Sequence, residues 1–121
     1  MLALLAFIAI SSPAVDYSRE IKPLLASRCG SCHGAIAQKG GLRLDTAAMV
    51  RKGGDSGPAI VPGKPKDSLL IRRVSSAEET DRMPPDGPAL SPGQVDAINR
   101  WISEGGLGQA GEKEEPDPRS H

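Results

Sequence analysis

Aromatic residues are almost missing from this 121-residue chain: Phe7, Tyr17 and Trp101 are the whole set. A small domain with so few large rings has trouble burying enough apolar surface by itself. Something other than side chains is therefore expected to fill part of its centre. Cysteine and histidine are equally scarce, with two of each, which excludes a disulfide-dense scaffold. Charge of one sign is not in excess. Fifteen basic and fifteen acidic groups balance, and no block is polarised enough to argue for nucleic acid or an anionic membrane surface as partner. No apolar run reaches the roughly 20 residues that span a bilayer. The length itself predicts one domain.

What the chain does have is turn formers. Fourteen glycines and eleven prolines make up about a fifth of it, short of the roughly 25–30% of low-complexity disorder but enough to predict long loops. The N-terminus carries the apolar run LALLAFIAI, Leu2 to Ile10, followed by Ser-Ser-Pro-Ala. This fits the core of a secretory signal with a cut after Ala14, although no Lys or Arg precedes the run. Residues 1–14 are read as that signal, and an uncleaved tether would be the only contact with a membrane. The protein is thus expected in the periplasm or another exported compartment.

A helix is predicted around Ser18 to Cys29, where Ile21, Leu24, Leu25 and Arg28 share a face. Because Pro23 belongs in a first turn, the regular part should begin near Ile21. Thr46–Lys52 reads as a short helix with Asp45 or Thr46 as cap and Gly53-Gly54 as stop. Ser68 to Val74 reads as another, capped by Asp67 or Ser68. The clearest is the last. Ser91, Pro92 and Gln94 form a capping box, Val95, Ile98, Trp101 and Ile102 form an apolar stripe, and Gly105-Gly106 ends it. The segment 107–121 is charged, proline-bearing and nearly free of apolar residues, so a disordered tail or linker is expected. Neither an internal repeat nor a convincing strand is visible.

Both cysteines and one of the histidines stand together in Arg-Cys-Gly-Ser-Cys-His-Gly, residues 28 to 34. Cys-x-x-Cys-His is the attachment signature of c-type haem. On a helical turn, positions i and i+3 share a side, so Cys29 and Cys32 can both reach the vinyl groups of one porphyrin. His33, at i+4 from Cys29, is delivered to the iron. Three other readings stand beside it. The two cysteines can form a disulfide in an exported protein. A redox Cys-x-x-Cys expects a strand–helix–strand setting that is not visible. A closed zinc site needs four ligands, and beyond Cys29, Cys32 and His33 only the tail residue His121 is on offer.

Haem iron in cytochromes commonly takes one histidine and one methionine. Met83, in Arg-Met-Pro-Pro, lies in a loop whose two prolines stiffen the backbone just beyond it, and it is the expected sixth ligand. Met49 sits in a short helical stretch and reads as packing, and a lysine or an open position is the fallback. Arg43, Arg72 and Arg73 are weak candidates for the haem propionates.

The runs YSREIKPLLASRCGSCHG, GGLRLD, GGDSGPAIVPGKPKDSLLIRR and RMPPDGPALSPGQVDAINRWISEGG, in that order over about residues 15–106, resemble the planctomycete-type cytochrome c domain. The resemblance implies a small all-α cytochrome c-like fold, three to five short helices with long Gly/Pro-rich loops around one covalently attached haem c. It implies that Cys29 and Cys32 attach the haem, with His33 proximal and Met83 distal on the iron. In that family the module usually stands near the N-terminus of a much larger exported protein. The expected function is a monohaem one-electron carrier serving a transient redox partner protein, and not an enzyme. Two alternatives remain: a redox-sensing or electron-input module of a larger exported protein, and a peroxidase-like haem enzyme with an open distal position.

Overall fold

A computed structural model describes residues 14–117. The expected signal, apart from Ala14, and His121 lie outside the described residues. Four α-helices follow one another: α1 Lys22–Arg28, α2 Ala47–Lys52, α3 Leu69–Ser75 and α4 Pro92–Ser103. A π-helical turn, Tyr17–Ile21, leads into α1, and short 3-10 turns cover Lys39–Gly41 and Pro65–Asp67. Among the described residues, extended pairing is limited to two isolated bridges, His33 with Gln38 and Gly54 with Gly57. The fold is all-α, with loops making up much of the remainder.

Most helix ends follow the sequence. Ser91 Oγ accepts from the Gln94 amide at 3.2 Å, and Gln94 Oε1 returns the bond to the Ser91 amide at 2.8 Å, so the capping box of α4 is closed on both sides. Thr46 Oγ1 caps α2 by accepting from the Met49 amide at 3.1 Å. Helix α2 stops at Gly53, where φ is +76° and a methyl would run into the Gly57 carbonyl. At the start, Asp16 caps the π-helical turn and Pro23 sits in the first turn of α1. The predicted first helix is thus split: its N-terminal turn is π-helical, and the regular part begins at Lys22.

Ser68 departs from expectation. It occupies the N-cap position of α3, yet its side chain makes no capping bond. Its hydroxyl is buried instead, accepting from the Val61 amide and donating to the Lys64 carbonyl, each at 2.9 Å. A hydroxyl that satisfies a neighbouring loop in this way is worth more than one exposed cap bond, because an unpaired buried amide costs about 1–3 kcal/mol.

The core centres on α4. Ile98, Trp101 and Ile102 turn inward against Tyr17, Ile21 and Leu25. The Tyr17 and Trp101 rings stack with centroids 5.5 Å apart, 24° between planes. Tyr17 and Trp101, the aromatic residues among the described ones, therefore pack against each other.

The segment after α4 departs most from its composition. Residues 107–117, expected to be disordered, lie against the body as a strap. The Leu107 carbonyl accepts from Trp101 Nε1 at 2.9 Å. Glu112 Oε2 accepts from the Tyr17 hydroxyl and from Lys22 Nζ (2.6 Å), while Oε1 accepts from the Ala47 amide (2.9 Å). The Glu112 side chain is only 7% exposed. Three donors from three separate elements make its burial tolerable, since a buried charge must be paired and hydrogen-bonded.

Candidate functional site

Cys29 terminates α1, its amide bonded to the Leu25 carbonyl at 2.9 Å. Beyond it, the Cys32 and His33 amides both donate to the Cys29 carbonyl, at 3.2 and 3.0 Å. The regular helix has ended, but the bond from His33 back to Cys29 keeps one further helical turn, so the i, i+3, i+4 spacing is realised. Gly34 follows, where a methyl would lie 2.7 Å from the Gly30 carbonyl oxygen. Only glycine lets the chain leave the turn so closely. The His33 carbonyl then accepts from the Leu44 amide (2.9 Å), and the Cys32 carbonyl from the Lys39 amide (2.9 Å), which ties the motif to the loop after it.

Met83 arrives from the far end of the sequence. Its amide donates to the Arg73 carbonyl at 2.9 Å, hooking the methionine loop onto the end of α3. The Met83–Pro84 peptide is cis.

Cys29, His33 and Met83 line two cavities in common. One, of about 200 Å³, is otherwise bounded largely by apolar residues, among them Leu42, Leu44, Leu70 and Val74. The other, of about 300 Å³, adds Cys32, Pro84 and Pro85. Together they reach the range of cofactor pockets, roughly 300–1,000 Å³. Lys39 and Arg73 border the first cavity, and Arg73 also reaches Asp81 Oδ1 at 3.3 Å. Met49 lines neither cavity. Arg72 is exposed. Arg43 is held by Asp45 through two bonds of 2.9 and 2.7 Å.

The side chains fit a haem of c type better than the other readings of the motif. His33 Nδ1 is buried without a hydrogen-bond partner, an arrangement that costs about 1–3 kcal/mol unless something compensates. Burial pushes the Cys29 thiol up to about 11. Redox-active Cys-x-x-Cys sites do the opposite, exposing a cysteine whose pKa is depressed. For zinc, no group of three His, Cys, Asp or Glu side chains converges as metal ligands among the described residues. Both cysteines are free thiols, and both border the second cavity.

The family model for planctomycete cytochrome C matches residues 29–87. This segment is a planctomycete-type cytochrome c domain. The match runs from the first cysteine to just past Met83 and so covers all four site residues expected from the sequence. It is narrower than the resemblance over 15–106. The chemistry of a cytochrome c is haem, iron and electron transfer. No match emerged among curated proteins or among solved structures.

Two parts of this cytochrome domain's surroundings were not found from the sequence. One is the strap, which carries no apolar pattern. The other is Lys39 on the cavity wall, which looks like any surface lysine until the Cys32 carbonyl is seen to hold its amide.

Proposed function

We propose that this chain is a monohaem c-type cytochrome that carries one electron at a time in the periplasm or another exported compartment. The observation that carries this reading is the convergence of Cys29 and His33 with Met83, 50 residues further on, on two adjoining cavities, the first of them largely apolar-walled. Cys29 and Cys32 would hold the porphyrin through thioethers, and His33 and Met83 would bind its iron. When bound, the haem supplies a one-electron couple whose potential the methionine raises. The chain's own part is to keep that group dry and still. Leu42, Leu44, Leu70 and Val74 exclude water, while the Met83–Arg73 and His33–Leu44 backbone bonds fix the two ligand-bearing loops. A small domain of this kind docks briefly, with less than about 1,200 Å² buried.

The test is a pyridine haemochrome spectrum and an intact mass, taken on protein secreted from cells with haem-attachment machinery. One covalent haem per mature chain is expected, and the same mass reports whether cleavage follows Ala14. Met83→Ala should lower the reduction potential and abolish the methionine-to-iron charge-transfer band. An unchanged potential with the band intact would remove Met83 from the assignment. Ready binding of carbon monoxide to the untreated ferrous protein would favour an open iron and hence enzyme chemistry.

A further inference from the structure

His33 borders both cavities of the site and also a third, of about 270 Å³, behind the motif. Gly30, Gly34 and Leu25 form part of this third space, and strap residues Lys113 to Pro116 close it. The ring therefore stands between the haem side and the strap. Its Nδ1 is the buried atom without a partner. A histidine that binds metal through one nitrogen almost always donates the other N–H to a carboxylate, a carbonyl or a water, which fixes the ring and raises its basicity.

The strap brings carboxylates to this place. Glu115 has its main chain pinned on both sides: its amide donates to Asp45 Oδ2 at 2.7 Å, and its carbonyl accepts from Arg43 Nη2 at 3.1 Å. Its side chain lies beside the motif, since a methyl built on Gly34 would sit 3.7 Å from Glu115 Oε1. Gly34, next to His33, puts no side chain in the way. The other carboxylates nearby are already committed. Glu114 lies 3.7 Å from Arg43 Nη1, and Asp45 is held by Arg43 and by the Glu115 amide.

We propose that Glu115 is a positioning residue for His33, its carboxylate accepting the Nδ1–H directly or through one water when Nε2 binds iron. This rests on the reading of His33 as a haem ligand. The C-terminal strap then sets the donor strength of the histidine, and so works against the methionine in tuning the potential.

The experiment compares full-length holoprotein with Glu115→Ala, Glu115→Gln and Glu114→Gln. The last removes the same charge one residue away. Haem content is read by pyridine haemochrome, and the reduction potential and the low-spin EPR spectrum of the oxidised form are read alongside it. Glu115→Ala should raise the potential more than Glu114→Gln does and should move the g values, which Glu114→Gln leaves in place. Glu115→Gln keeps the main-chain bonds of the strap and a weaker acceptor, so it should fall between. Equal potential shifts in all three variants with unmoved g values would reduce Glu115 to a surface charge and overturn the proposal, with the functional reading intact. A wild-type protein without haem would overturn both.

Discussion

Around α4, Tyr17, Ile21, Ile98, Trp101 and Ile102 cover one another, and none of the five is more than 7% exposed. Around the Cys-x-x-Cys-His turn, Leu42, Leu69 and Met83 are only half-buried and face open cavities. The first region is closed by side chains alone; the second is a ring of side chains around a cavity. Interiors are normally packed like organic crystals, so the contrast teaches that Tyr17 and Trp101 serve one half, while the other holds the apolar-lined cavity in which the haem of its family would lie.

The strongest way to break this comparison is to withhold that haem. In Cys29→Ser/Cys32→Ser protein, hydrogen exchange should accelerate most at the amides of residues 33–60 and 69–83, while α4 keeps the greater protection. Equal loss of protection in both halves would mean that the halves are not separately closed. Next in size is Trp101→Ala. It removes the ring that stacks on Tyr17 and should cost the holoprotein about 3–5 kcal/mol in denaturant unfolding, without moving the absorption spectrum of the haem. A spectral change would show that the closed half reaches the site directly.

Glu112→Gln comes third, at about 2 kcal/mol, because it weakens charge-assisted bonds inside the structure. Its pH dependence sharpens the point. Burial alone would raise the Glu112 carboxyl, but the bonds from Lys22, Tyr17 and the Ala47 amide outweigh it and hold the group below its ordinary value. A carboxyl depressed in the folded state stabilises above its unfolded value of about 4.3 and loses that contribution as pH falls through the lower folded value. Asp45 behaves alike, with burial opposed by Arg43 and the Glu115 amide. The stability gap between wild type and Glu112→Gln should thus be full at pH 7 and shrink below about pH 4. A gap independent of pH would show that the Glu112 charge contributes nothing. The smallest effect belongs to Ser91→Ala, about 1 kcal/mol from the lost cap, confined to the first turn of α4 and readable as faster exchange there.

Helix α4 was legible because its signals are local: Ser91, Pro92 and Gln94 lie within four positions, and the apolar stripe repeats at helical spacing. The motif was legible for the same reason, since three chemically distinctive residues stand within five. Met83 stands out as a candidate because few methionines compete for the role and its loop is stiff, and the fold brings it to the cavities that His33 lines. The strap escaped notice because the bonds that hold Glu112 come from Tyr17, Lys22 and Ala47, and no window of sequence contains them together. Ser68 misled in a related way. Its position favours a cap, but Val61 and Lys64 made a better offer from the loop before it.

The bond from the Met83 amide to the Arg73 carbonyl also bears on how this protein tolerates change. It joins the two ends of an excursion whose loop runs over residues 76–82, so that loop hangs outside the path that places Met83. Lengthening it would cost only slowly growing closure entropy, and insertions there should be silent, whereas a proline at position 73 or 83 would be felt at once.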